Sequence, residues 1–262
     1  MANLETEDKV PFTAHLEELR KRLITSFIAV GVGFAISYGF KEKLFQILTQ
    51  PLISVMKQGE TLIYTGLPEA FFTFLKVSFL TGLMLASPVI IYQFWMFIAP
   101  GLYDREKRLM VPIVFLSSIF FVGGALFGYF IVFPYGFDFF LGFATETIRP
   151  MPSMKEYLSF SAKLLLAFGL VFELPLVITF LAKLGIVGVP FLKKNRKYAL
   201  LLFFVGAAIL TPPDVVTQVM MALPLMVLYE ISIIGARIFG RKKKPAETAD
   251  ETTAETEGAE DS

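Results

Sequence analysis

Cysteine is absent from this 262-residue chain, and histidine occurs once, at position 15. Without a thiol there is no disulfide, thiolate metal site or cysteine nucleophile, and a single imidazole excludes the multi-histidine metal motifs. Charge is sparse as well. Asp, Glu, Lys and Arg make up 18% of residues, against about 25% in soluble domains. No G-x-x-x-x-G-K-[ST], G-x-S-x-G or H-E-x-x-H occurs, so the sequence offers no nucleotide-driven step, no enzyme chemistry, no cofactor and no metal. Ser159 and Lys163 stand four apart and mimic a serine–lysine dyad, but a lysine snorkelling at the start of a span accounts for Lys163 better. There is no internal repeat, which weakens an inverted-repeat transporter reading. No basic segment precedes a short apolar core at the N-terminus, so no cleavable signal peptide is expected.

What the chain has in abundance is apolar length. Hydrophobic residues make up 55% of it, with 29 Phe. Residues 23–40, 77–103 and 109–137 carry no charge, and 164–182 carry one. Each suffices for a hydrocarbon core of about 30 Å, which takes roughly 20 helical residues. Two shorter runs follow, 198–210 and 215–229. The expected fold is all-α: a polytopic membrane protein of six transmembrane helices, the last two short, with a concave groove around a buried Glu. Spans are expected near 23–40, 77–99, 109–133, 160–182, 198–210 and 215–236. They form a membrane domain over 23–237, between an N-terminal segment (1–22) bearing a short amphipathic helix and a basic, then acidic, disordered tail (238–262).

Lysine and arginine fix the expected orientation. Seventeen of the 24 cluster at 9–22, 105–108, 183–197 and 237–244, on one side of this topology. By the positive-inside rule that side is cytoplasmic, with both termini inside.

Three acids stand out. Glu173 is the only charge in 164–182 and the tenth of its residues. A charge at the bilayer centre costs about 3 kcal/mol or more, so it faces protein or water and marks function by default. The alternative is a structural carboxyl bonded to a neighbouring helix. Pro175 removes the helix donor for the Val171 carbonyl, which places a bend and a freed acceptor beside Glu173. Pro88 and Pro112 also fall inside apolar runs. Gln218 and Asp214, on the last hairpin, are candidate polar neighbours of Glu173, and Gln93 reads as a packing contact. Near the N-terminus, Phe12, Leu16, Leu19 and Leu23 share one helix face while Glu18 projects from another. Glu18 also stands four before Arg22, the spacing of a helical ion pair. Glu106 lies among Arg105, Lys107 and Arg108 in the first cytoplasmic loop, a place where a solvated charge is equally natural.

Six segments in order resemble one family. They are H-L-E-E-L-R-K-R-L (15–23), Y-Q-F-W-M-F-I-A-P-G-L-Y (92–103), E-K-R (106–108), Y-F-I-V-F-P (129–134), A-F-G-L-V-F-E-L-P (167–175) and L-T-P-P-D-V-V-T-Q (210–218). Together they resemble the TatC family, the polytopic core of the twin-arginine protein translocase, over about 11–239. The resemblance implies a receptor in the bacterial cytoplasmic (inner) membrane. It would bind signal peptides carrying two consecutive arginines and work with single-span TatA/TatB-type proteins. Folded cargo would be exported using the proton-motive force. Within the bilayer the chain would be a homo-oligomer in a larger complex, with no nucleic acid partner. By the same resemblance Glu18 and Glu106 match the family's signal-contacting glutamates and Glu173 its intramembrane glutamate. Arg20 is expected to join the signal-binding residues, Glu173 with Gln218 and Asp214 to dock partners, and Pro51, Pro175 and Tyr129 to serve structural roles. An ion-coupled secondary transporter using Glu173 is the alternative reading.

Overall fold

The computed structural model describes residues 12–57, 59–98, 110–145, 147–210 and 214–240. Among these the chain is helical, apart from turns and one isolated parallel bridge between Ile63 and Ser153. The amphipathic segment and the first span form a single rod, α1 (Phe12–Tyr38). Arg20, Lys21 and Arg22 do not interrupt it, because both residue types are good helix formers. After Gly39 and Phe40 the chain turns through 88° into α2 (Lys41–Ile53), an element that the apolar runs do not announce.

There follow α3 (Glu69–Ile98), α4 (Met110–Phe127), a π-helical segment (Gly128–Val132) and α5 (Phe133–Leu141). Next come α6 (Met154–Phe172), α7 (Leu174–Lys183), α8 (Val189–Lys194), α9 (Arg196–Leu210) and α10 (Val215–Phe239). Among the described residues four units are long and apolar enough to cross a membrane: α3, α4–α5, α6–α7 and α10. The bent pair α1–α2 would make five. At 15 residues α9 rises about 22 Å, less than the core's roughly 30 Å, so it is the short element expected there. Its partner is not short. α10 has 25 residues, about 37 Å, because the helix continues through Glu230, whose carboxylate takes Arg196 Nη2 of α9 at 2.6 Å.

The prolines explain the bends. Pro112 lies in the first turn of α4, where the missing N–H was never needed, so the expected mid-run kink does not arise. Pro88 deprives the Met84 carbonyl of its helix donor, and Ser87 Oγ supplies one at 2.7 Å. Pro51 does the same to Ile47, whose carbonyl takes Tyr129 Oη at 2.6 Å. The next carbonyl, Leu48, takes Tyr157 Oη at 2.5 Å. Two tyrosines from distant elements therefore fasten the middle of α2. Pro134 sits in the first turn of α5, directly after the π-helical segment.

Helices approach closely where side chains are missing. A Cβ on Gly82 of α3 would lie 2.5 Å from the Phe34 nitrogen of α1, and one on Gly33 would lie 2.5 Å from the Gly82 oxygen. Likewise a Cβ on Gly124 of α4 would meet Phe172 Cβ of α6 at 2.8 Å. Backbone contact through small residues drives helix association where lipid gives no hydrophobic advantage. Phe133, Leu158, Leu164, Phe168 and Met221 are fully buried at the centre.

Candidate functional site

Glu173 occupies the joint between α6 and α7. Its own N–H reaches the Leu170 carbonyl at 3.2 Å, and Pro175 in the first turn of α7 cannot donate backwards. The carboxylate is met by Ser117, which Trp95 backs in turn, and the sequence singled out neither. Ser117 Oγ of α4 donates to Glu173 Oε2 at 2.6 Å, and Trp95 Nε1 of α3 donates to Ser117 Oγ at 3.0 Å. Trp95, 2% exposed, packs edge-on against Phe180 of α7 with ring centroids 4.8 Å apart. Indole, hydroxyl and carboxylate thus form a relay across three spans. It ends on Glu173 Oε1, which is buried without a hydrogen-bond partner. A buried orphan acceptor is costly, about 1–3 kcal/mol.

Asp214 and Gln218 do not join this relay. Asp214 caps α10, accepting from Thr217 N at 2.8 Å and from Thr217 Oγ1. Gln218 Nε2 donates to the Phe204 carbonyl at 3.0 Å, fastening α10 to α9. Their expected pairing with Glu173 is replaced by contacts within the hairpin, because cap geometry and a nearby α9 carbonyl satisfy them locally.

At the same end of α3 as Trp95, α1 packs on its last turns. His15 stacks on Phe97 with centroids 4.3 Å apart. Arg22 donates through Nε (3.0 Å) and Nη2 to Glu18 Oε1, and through Nη1 to Gln93 Oε1 at 3.3 Å. Gln93 is therefore a hydrogen-bonding residue and not a mere packing contact. Both Arg22 bonds fall on one Glu18 oxygen. Oε2 has no hydrogen bond among the described residues, and the side chain is about one-third exposed. Glu17 pairs with Lys21 at 2.8 Å in the open, and Arg20 is exposed. Glu106 lies outside the described residues, between α3 and α4 in sequence.

A third acid is fully engaged. Glu69, 9% exposed at the start of α3, accepts five hydrogen bonds. Thr65 N (2.8 Å), Thr65 Oγ1 (3.2 Å) and Gly66 N (3.2 Å) reach Oε2, while Ser153 Oγ (2.8 Å) and Lys155 N (3.0 Å) reach Oε1. Its local signal was readable, since a carboxylate three and four residues after Gly66 and Thr65 resembles a capping box. Its reach to residues 153 and 155 was not.

Long apolar helices crossing on glycines, with one carboxylate at a broken span, define a multi-pass helical membrane protein. The family model for the Sec-independent protein translocase protein TatC matches residues 14–224. A protein of that name from Desulforapulum autotrophicum is 66% identical over 257 residues, covering 97% of this chain and 95% of its own. The one from Escherichia coli K12 is 40% identical over 258 residues, covering 98% and 100%. A crystal structure described as the twin arginine translocase receptor TatC matches with a TM-score of 0.78 at 44% identity, over 87% of this chain and all of that one.

The chain belongs to the TatC family. It is a component of a Sec-independent protein translocase, a multi-pass subunit of the bacterial inner membrane that serves transport. Nothing in these matches supports the ion-coupled transporter reading.

Proposed function

We propose that this chain is the signal-peptide receptor of its translocase, with both termini in the cytoplasm and the Glu18 end of α1 facing the incoming signal. The observation that carries this is the half-used carboxylate of Glu18. Arg22 holds Oε1 and leaves Oε2 open. A planar guanidinium from a twin-arginine signal suits such an acceptor better than an ammonium does. The Glu18–Arg22 pair and signal recognition are then compatible. Arg22 and Gln93 orient the carboxylate, and the signal takes the free edge. Glu106, between α3 and α4 in sequence, supplies the second carboxylate, and Arg20, exposed on α1, is part of the same signal-binding surface.

Within the membrane, Glu173 Oε1 is the docking point for a hydrogen-bond donor on a single-span TatA/TatB-type partner. Asp214 and Gln218 keep the α9–α10 hairpin in shape for the same assembly, in which several copies of the chain combine. Folded cargo then crosses at the expense of the proton-motive force.

Photo-crosslinkers placed next to Glu18 and Glu106 test the cytoplasmic part. They are expected to capture a twin-arginine peptide and to capture its twin-lysine counterpart poorly. Equal capture of both removes the reading. For the membrane part, Glu173→Ala is expected to abolish partner crosslinking along α6–α7. Intact crosslinking and transport would leave Glu173 a structural carboxyl.

A further inference from the structure

The starts of α3 and α6 are tied together where Glu69 accepts from Ser153 Oγ and Lys155 N, and a surface cleft opens beside that tie. This cleft, of about 570 Å³, is lined by residues including Glu69, Phe72, Lys76, Lys155 and Glu156. Below it, sharing Lys76, a second hollow of about 140 Å³ runs between Phe79, Leu80 and Leu83 of α3 and Leu158, Ala162 and Leu166 of α6. The upper space is mixed polar and apolar, and the lower one is almost wholly apolar.

The level of this cleft follows from helix length. α3 has 30 residues, about 45 Å, so part of it must project from a core of about 30 Å. Residues 77–98 carry no charge and span the core by themselves. Lys76 therefore marks the boundary between hydrocarbon and headgroups, with the upper cleft among the headgroups and the lower hollow among acyl chains.

Charge chooses the occupant. Lys76 and Lys155 are exposed and make no ion pair among the described residues. The Glu69 carboxylate is spent on its five donors, so it does not neutralise them. Glu156, also exposed and without an ion pair, is the remaining anion of the cleft. Two ammonium groups and one free carboxylate above an apolar furrow match a headgroup that carries a phosphate and its own ammonium. We infer that the α3–α6 cleft seats one phosphatidylethanolamine molecule. Its phosphate lies between Lys76 and Lys155, its amine points toward Glu156, and one acyl chain lies in the furrow over Leu83 and Ala162. The bound lipid would fill the cleft beside the Glu69 lock. The inference is independent of signal recognition at the other face.

Native mass spectrometry of the full chain in detergent tests this, titrating phosphatidylethanolamine and phosphatidylglycerol of identical acyl chains. The first phosphatidylethanolamine is expected to bind about fivefold more tightly than phosphatidylglycerol, and K76Q/K155Q to weaken it by about fivefold or more. Glu156→Gln should erase the preference between the two lipids. Ala162→Trp, which leaves every charge in place, should displace the lipid by filling the furrow. Circular dichroism of each variant reports folding, and the Ala162→Trp and Glu156→Gln arms stand without the lysine variant. Equal binding of the two lipids by the unaltered chain overturns the inference. So does undiminished binding by K76Q/K155Q, and so does competition by soluble glycerophosphoethanolamine as strong as by the whole lipid. Retention of the lipid by Ala162→Trp alongside loss of crosslinks to a partner helix would mean that the furrow holds protein, and would overturn it too.

Discussion

Tyr129→Phe deletes a single hydroxyl, and its cost is set by a proline on another helix. Pro51 leaves the Ile47 carbonyl without its helix donor, and Tyr129 Oη replaces that donor at 2.6 Å. Losing the bond leaves a carbonyl that no helix N–H serves, at a cost near the top of the usual net hydrogen bond, about 1.5 kcal/mol. Pro51→Ala restores an N–H four residues after Ile47. In that background the tyrosine hydroxyl is redundant, and Tyr129→Phe is expected to cost under about 0.5 kcal/mol. The coupling energy of the cycle should therefore be about 1 kcal/mol, well above the roughly 0.3–0.5 kcal/mol scatter of independent sites. Denaturant unfolding of the four purified proteins in one detergent measures it. Equal costs for Tyr129→Phe in both backgrounds would refute the proposition that Tyr129 acts by satisfying the carbonyl that Pro51 frees.

Other outcomes follow from the same geometry. Gly82→Val should prevent α1 and α3 from seating, since even a bare Cβ would lie 2.5 Å from the Phe34 backbone nitrogen; protease sensitivity and loss of folded yield report it, with a cost of several kcal/mol. Ser117→Ala removes the only hydrogen-bond donor to the Glu173 carboxylate among the described residues, leaving both oxygens without one there, and is expected to cost about 2 kcal/mol in unfolding. Adding Glu173→Leu should recover part of that loss, because removing both polar partners is cheaper than stranding one. Asp214→Ala takes away the α10 cap and should cost about 1 kcal/mol, with Asp214→Asn retaining most of it, read as the shift of the denaturant midpoint.

Composition and run length were enough to read the helical membrane class, because the bilayer imposes a length and leaves few alternatives for the backbone. The uncharged runs end at charges, but the helices do not. Lys76 lies inside α3, Asp138 inside α5 and Glu230 inside α10, since a helix longer than the core carries its charges out to the headgroups or pairs them, as Glu230 does with Arg196. α2 escaped notice because 13 residues with Lys41, Glu42 and Lys43 resemble a loop until α3 and the tyrosines of other helices are in place. Glu173 was legible from its cost alone. Its partners were not. Ser117 is 56 residues away, and a serine within an apolar run signals nothing until something demands a donor. Asp214 and Gln218 looked available to Glu173 only because a sequence cannot show that a cap and a carbonyl of α9 already hold them.

Titration of a twin-arginine signal peptide against the purified chain, with the twin-lysine peptide and Glu18→Gln as controls, bears most directly on the receptor reading. The half-occupied Glu18 carboxylate predicts that either change weakens binding by about tenfold or more, and that the two losses do not add. Equal affinity for both peptides, or a full further loss when the lysine peptide meets Glu18→Gln, would contradict it.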